Sequence, residues 1–415
     1  MTKKLAIFLF LIFISFNISA QNAIKEYIGK DIKTVEFRKT ETNFGLPICY
    51  LSESLTLSFD IINDNYSDLS YTIQHCDADF VPDDLDFYEF ADGFDNRTAD
   101  DFSSSFNTHS KFTHYKINIP NNDITLNISG NYIIKVYETS NPDNIILIKK
   151  FMICDNETQL MVDAEIERPF LAEYSIDCQQ ININIDNSKE RISNPTKFMK
   201  VYVQQNGNIN SRCELNHNYA DTYNIRYNNN EGNNIFKGGC EYEFFDAKDK
   251  NFRSLGIDKI EFKNNLYSFD LTTYYPSYNS YSYKEDLNGQ YYIKNDRGFD
   301  NELEADYINV NFKLKYDAFA DGKIYVFGQL SNYELNEENL LQFNSETNLY
   351  ECNMLLKQGL YNFTFINQHS DNSIEYLDGS WYNTENSYLI TIYNTNYSYR
   401  GNRLIGYKII NSMNK

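Results

Sequence analysis

Short segments in which apolar and polar residues alternate constrain the fold of this chain more than any other feature. Residues 55–61 (LTLSFDI) and 181–185 (ININI) alternate strictly. A period of two places successive side chains on opposite faces of a strand, whereas a helix requires a period near 3.6. Similar segments rich in β-branched and aromatic residues recur at 32–37, 71–75, 132–137, 145–153, 198–204, 257–262, 323–328, 349–354, 361–365 and 388–393. Only residues 335–340 (LNEENL) have helical features. We therefore predict an all-β chain of tandem antiparallel β-sandwich modules.

The length of 415 residues exceeds one ordinary domain and favours two or three. The sequence changes character near CDNET, at residues 154–158, and again near residue 305. We predict an N-terminal β-sandwich at 21–155, a middle β-rich domain at 156–304 and a C-terminal domain at 305–415.

The first residues have the features of a secretory signal peptide. Lys3 and Lys4 precede the apolar run 5–14, and small residues ending at Ala20 offer a cleavage position before Gln21. The apolar run is shorter than the roughly 20 residues that span a bilayer, which disfavours an uncleaved anchor. We expect residues 1–20 to be removed and the mature protein to be exported, without direct membrane insertion.

The charge excludes several partner classes. The net charge is −21 with a pI near 4.7, and basic residues do not cluster. Phosphate binding needs a positive footprint, so nucleic acid is not an expected partner, and an anionic membrane surface would repel the chain.

No catalytic, cofactor or metal motif accompanies these features, so we expect no enzyme, cofactor or metal. The seven cysteines are widely spaced and contain no CxxC pair. Bridges such as Cys49–Cys76 or Cys213–Cys240 and buried free thiols both remain open. The acidic loop with Asp77, Asp79, Asp83, Asp84 and Asp86 has carboxylates that Ca²⁺ would accept, but it lacks the EF-hand pattern, and we interpret it as solvated.

A tyrosine cluster is the best candidate for a contact surface. It contains Tyr274, Tyr275, Tyr278, Tyr281 and Tyr283. Tyrosine buries a rigid amphipathic ring at low entropy cost and is frequent in binding hot spots. The alternative is a set of aromatics that pack on the core.

Several motifs in order resemble the first domain of the type IX secretion plug proteins of Bacteroidetes. They are HCDAD at 75–79, DGF at 92–94, SFNT at 105–108, THYKINIPN at 113–121 and SGNYIIKVYE at 129–138. Phe80 stands where the family usually has Trp. Residues 232–249, 283–312 and 403–412 also resemble the family. The resemblance implies a non-enzymatic periplasmic protein that docks on the outer-membrane β-barrel translocon and plugs its periplasmic opening.

The C-terminal module resembles a second type of domain. VFG at 326–328 followed by LLKQGLYNFTF at 355–365 is similar to early-set immunoglobulin-like domains of the glycogen-binding type. This resemblance implies an alternative function, an exported carbohydrate-binding protein, with Trp381, Tyr333 and Tyr382 as the stacking residues. Fold likeness alone is weak support for function.

Overall fold

The computed structural model describes residues 23–62, 68–156, 160–317, 321–396 and 400–413. The predicted signal peptide, 1–20, lies outside the described residues. The all-β prediction is confirmed: strands dominate, and most sheets are antiparallel. The described α-helices are one-turn segments, α1 (Phe87–Phe90), α2 (Pro195–Phe198) and α3 (Asn301–Glu304). Residues 335–340, the best helix candidate in the sequence, form turns instead.

The first group of strands forms two main sheets and a short ribbon. The strands are β1 (Tyr27–Ile28), β2 (Ile32–Lys39), β3 (Ile48–Tyr50), β4 (Leu55–Ile62), β5 (Leu69–Cys76), β6 (Ala91–Gly93), β7 (Arg97–Thr98), β8 (Asp101–Ser104), β9 (Phe112–Ile119), β10 (Ile124–Leu126), β11 (Gly130–Glu138) and β12 (Asn141–Cys154). One sheet has the order β1-β12-β11-β5-β7, with β3 on β12, and the other has the order β2-β4-β9-β8. Leu57, Phe59, Tyr132 and Phe151 are fully buried in the core between them. We call this unit the first sandwich.

The second group contains β13 (Met161–Glu167), β14 (Cys178–Asp186), β15 (Met199–Gln205), β16 (Cys213–Glu214), β17 (Tyr219–Ala220), β18 (Asn224–Tyr227) and β19 (Ile235–Lys237). The order β13-β14-β18-β17, with β19 on β14, forms one sheet. Strands β15 and β16 belong to another sheet, which the end of the chain completes.

The remaining strands are β20 (Glu243–Asp246), β21 (Ile257–Lys263), β22 (Leu266–Leu271), β23 (Tyr291–Ile293), β24 (Tyr307–Leu314), β25 (Lys323–Phe327), β26 (Gln342–Asn344), β27 (Leu349–Lys357), β28 (Gly359–Gln368), β29 (Ile374–Tyr376), β30 (Ser387–Asn394) and β31 (Arg403–Asn411). Strands β21-β22-β24-β27-β26 form one sheet, and β20, β23, β25 and β29 all pair with β28. We call this unit, from β20 to β29, the third sandwich.

The last two strands return to the second group, because β15 pairs with β30 and β30 pairs with β31. Ile181, Val201, Ile390 and Ile392 share one buried core. We call this unit the second sandwich.

The predicted boundary between 304 and 305 does not coincide with a change of sheet, because β22 and β24 pair across it. Strands β30 and β31, which follow the boundary, belong to the second sandwich and not to the third. The division into domains remains a prediction, as does the immunoglobulin-like character of the last one.

Candidate functional site

The tyrosine cluster lies in the connection between β22 and β23, against the third sandwich. The amide of Tyr274 donates to the carbonyl of Lys313, and its hydroxyl shares its proton between Asp378 Oδ1 at 2.9 Å and Glu243 Oε1 at 3.1 Å. The hydroxyl of Tyr281 donates to Glu241 Oε1 at 2.5 Å. These two tyrosines therefore attach the segment to carboxylates of the fold.

The other three tyrosines present their rings to solvent. Tyr275, Tyr278 and Tyr283 are 66%, 64% and 50% exposed. Exposed aromatic rings that are close in sequence are the feature expected of a contact surface. The structure thus separates the five candidates into two anchoring residues and three accessible ones. We call Tyr275, Tyr278 and Tyr283 the exposed tyrosine set.

The acids around this segment accept hydrogen bonds from its tyrosines. Burial raises the pKa of Asp286 to about 7, and it raises the pKa of Glu241. Burial and the nearby Asp378 and Glu243 carboxylates raise the pKa of Tyr274 well above its ordinary value. The Tyr274 phenol therefore stays protonated and acts as a donor, which is a structural role.

The structure does not bring the glycan-binding candidates onto one exposed surface. Tyr333 is buried, and its hydroxyl donates to the carbonyl of Asn206 at 2.7 Å. Trp381 is half-buried, and its indole N–H donates to the carbonyl of Asp378 at 2.9 Å. Tyr382 instead lies in a shallow pocket with Tyr281 and Tyr283. A sugar-stacking platform requires accessible ring faces, and the buried Tyr333 cannot provide one.

A buried charged cluster, absent from the sequence-based candidates, connects the first and third sandwiches. Asp60 on β4 accepts hydrogen bonds from Lys357 Nζ and from the hydroxyl of Tyr307, both at 2.6 Å, and its other oxygen lies 2.6 Å from His114 Nδ1. Asp60 is 0% and Lys357 is 1% exposed. Burial alone would raise the pKa of Asp60, but Lys357 and His114 hold it below its ordinary value.

A second contact connects the first and second sandwiches. The guanidinium of Arg212 lies 3.7 Å from the centroid of the Tyr202 ring and donates to the carbonyl of Ala78. It also lies 5.3 Å from the ring centroid of Phe80. Phe80, which stands where the family usually has Trp, therefore still provides an aromatic face for a cation. Close by, the hydroxyl of Tyr393 donates to Asn131 Oδ1 at 2.7 Å.

The cysteines are free thiols. All seven are unpaired in the structure, and six are buried. Burial raises the pKa of Cys76 to about 12, so its reactive thiolate form is scarce at neutral pH. His75 and Cys76 lie on opposite faces of β5, in different apolar clusters: His75 packs edge-on against Tyr132, and Cys76 packs with Phe80.

Three acids of the acidic loop form hydrogen bonds within the fold, whereas Asp84 and Asp86 are exposed. Asp79 accepts from the hydroxyl of Tyr202, Asp83 pairs with His75, and Asp77 accepts two backbone amides of its own turn. Among the described residues, no group of three or more His, Cys, Asp or Glu side chains is arranged to hold a metal ion. The described residues also contain no helix that is long and apolar enough to span a bilayer.

Comparisons with known proteins connect this architecture to one family. The crystal structure of a hypothetical protein from Parabacteroides merdae is similar, with a TM-score of 0.88 and 29% identity over 94% of this chain and 100% of that one. No curated protein matches the chain. Residues 32–155, which span β2 to β12, match the model of the type 9 secretion system plug protein 1st domain. This part of the chain is thus a first domain of the type IX secretion system plug type.

Proposed function

We propose that this protein is a non-enzymatic periplasmic component of type IX secretion, which docks on the outer-membrane β-barrel translocon and plugs its periplasmic opening. The observation that carries the proposal is the match of residues 32–155 to the first domain of the plug proteins, which supports a role in type IX secretion. The predicted signal peptide at 1–20 agrees with export.

The contacts between the sandwiches support a steric mechanism. A plug has to keep its shape against an opening, so its modules must not move freely relative to one another. Here the buried Asp60–Lys357 pair joins the first and third sandwiches, and Arg212 joins the first and second. Inter-domain motion is expected unless an interface is large or well buried. These contacts between the sandwiches support a plug that keeps its shape.

The exposed tyrosine set is our proposed contact with the translocon. The anchors Tyr274 and Tyr281 hold the segment in place, so its exposed rings are preorganised for binding. Three exposed rings within ten residues also offer apolar area without charge. A partner that covers them gains apolar burial with little additional ordering of the segment.

The experiment is recovery of the translocon by a tagged copy of this protein, purified from the outer membranes of cells that naturally make it. We expect a very large β-barrel protein in near-equal amount. Replacing Tyr275, Tyr278 and Tyr283 by Ser should reduce its recovery at least tenfold, since hot-spot residues contribute about 2 kcal/mol or more each.

The matched control replaces Tyr88, Tyr219 and Tyr223, which are also exposed, by Ser and should leave the recovery unchanged. Equal recovery of the barrel by the unaltered protein, the variant and the control would refute the proposed contact face but would still support the proposed function. Purification of the unaltered protein without any barrel would refute the function itself.

A further inference from the structure

A large cleft separates the first and third sandwiches on the side where two sheet edges face each other. Its volume is about 1210 Å³. One wall is β2, the edge strand of its sheet, and the other is β27 of the third sandwich. The edges meet at one end, where Thr34 Oγ1 and the hydroxyl of Tyr307 are 2.7 Å apart. Tyr307 is the partner of Lys357 in the sheet. The cleft therefore begins at Lys357 and runs along β27 towards Cys352.

Within the described parts of the chain, no strand pairs with the outer edge of β27 over residues 352–357. Strand β26 pairs with β27 only at residues 349–351. Before β26, the chain crosses to the opposite sheet, where the amide of Val326 donates to the carbonyl of Asn339 and that of Leu341 donates to the carbonyl of Ile324. Among the described strands, β24 alone pairs with residues 352–357. Half of the main-chain groups of this segment therefore point away from β24, and of these the carbonyl of Lys357 already accepts a hydrogen bond from the hydroxyl of Tyr361.

The two edges differ in their protection against strand addition. Proteins protect exposed edges with bulges, prolines and charged side chains, inward-pointing ones included. Strand β2 has an irregular register between Lys33 and Glu36, and Thr34 there has φ of +50°. The sequence CNMLLK of residues 352–357 has no proline, and its single lysine, Lys357, stands at the end of the segment with its charge paired to Asp60. This edge of β27 is available for pairing.

The charge of the cleft defines the chemistry of an occupant. Glu334, Glu337 and Glu346 line it and are exposed, and none of them forms an ion pair in the described structure. Lys33 pairs with Glu338 across the cleft at 2.9 Å, an exposed pair of the kind that contributes at most about 1 kcal/mol. The net charge of −21 disfavours a second copy of this chain or an acidic segment.

We propose that an extended, basic peptide segment of another protein adds as a strand to the edge of β27 at residues 352–357. Its main chain would supply the missing hydrogen bonds, and lysine or arginine side chains on alternate positions would meet Glu334, Glu337 and Glu346. This interaction is separate from the plugging function, since it uses a different surface from the exposed tyrosine set.

The test is selection from a library of random peptides displayed on phage, with the full mature chain as the target. We expect the enriched sequences to be basic and to alternate with apolar residues. Hydrogen–deuterium exchange with a selected synthetic peptide should then show slower exchange of the amides in residues 352–357. N-methylation of alternate peptide residues should abolish binding, because it removes the main-chain donors of one edge.

The variant Glu334→Lys, Glu337→Lys, Glu346→Lys should weaken this binding at least tenfold. The matched control replaces Asp163, Glu165 and Glu231, which are exposed away from the cleft, by Lys. It has the same change in charge and should weaken binding less than twofold. All six positions are exposed, so both variants should fold. Selection of no basic peptide, protection of amides elsewhere, or equal losses in the two variants would overturn the proposal.

Discussion

Replacing Lys357 by Met is expected to lower the free energy of unfolding by about 3–5 kcal/mol, because it leaves a buried carboxylate without its cation. Asp60 is completely buried, and its hydrogen bonds from Tyr307 and His114 do not supply the lost charge of Lys357. The effect should appear as a lower urea midpoint for the transition that involves the first and third sandwiches.

The control is Lys259→Met. Lys259 forms an exposed pair with Glu261 at 2.9 Å, and such pairs contribute little to stability because solvent screens them. The double variant Asp60→Asn, Lys357→Met should lose less stability than the sum of the two single variants, since removing both charges leaves none unpaired. A loss for Lys357→Met no greater than for Lys259→Met would show that the buried pair does not hold the two sandwiches together.

The same pair predicts a response to acid. The pKa of Asp60 lies below its ordinary value of 3.8 in the folded protein, so its stabilisation is complete above that value. It is lost as the pH falls through the lower, folded-state pKa. Between pH 5 and pH 2, unfolding measurements should therefore show a smaller loss of stability for the double variant than for the unaltered protein.

Replacing Arg212 by Ala should have the second-largest effect, a loss of about 2–4 kcal/mol. A partly desolvated cation over an aromatic face contributes up to about 2 kcal/mol. The hydrogen bond from the charged guanidinium contributes about 1.5–3 kcal/mol, although the carbonyl of Ala78 keeps its second hydrogen bond, from Asn131 Nδ2 at 3.1 Å. Arg212→Lys should restore only part of the loss, because an ammonium group cannot stack its plane on the Tyr202 ring.

The control for Arg212 is Arg226→Ala. Arg226 also lies over a tyrosine, with 5.2 Å to the ring centroid of Tyr219, but it is exposed. Its removal should cost about 0.5–1 kcal/mol. Thermal unfolding compares the variants, and equal losses for Arg212 and Arg226 would contradict the role of Arg212 as the contact between the first and second sandwiches.

The strands could be predicted from the sequence because their alternation is local. Residues 55–61 and 181–185 fall within β4 and β14. The pairing of the strands could not be predicted, because alternation carries no information about distant partners. Strands β15 and β30, for example, pair across almost 190 positions. For this reason the predicted boundary at 304–305 separates strands that the sheets keep together.

The buried charged cluster was missed for a related reason. Alternation in β4 directs Leu57 and Phe59 to the core and Asp60 to the opposite face, which is ordinarily solvated. The third sandwich covers that face, and Lys357, almost 300 positions away, supplies the cation. The signal that could have identified the cluster is the pairing of Asp60 with His114 on neighbouring strands, since both lie on the non-core face.

The tyrosine cluster was found by composition, but the roles of its members depend on contacts that no sequence pattern contains. Tyr274 and Tyr281 meet acids from β20, from the residues before it and from the loop after β29. Only the fold brings these segments together. The division into anchors and exposed rings is therefore a structural finding.

The measurement that tests the plugging function most directly is the ionic conductance of the purified translocon barrel in planar lipid bilayers, with and without this protein. We expect the open barrel to conduct and stoichiometric addition on the periplasmic side to close it. The variant with Tyr275, Tyr278 and Tyr283 replaced by Ser should close it only at much higher concentration. A barrel that binds this protein and still conducts fully would contradict the account.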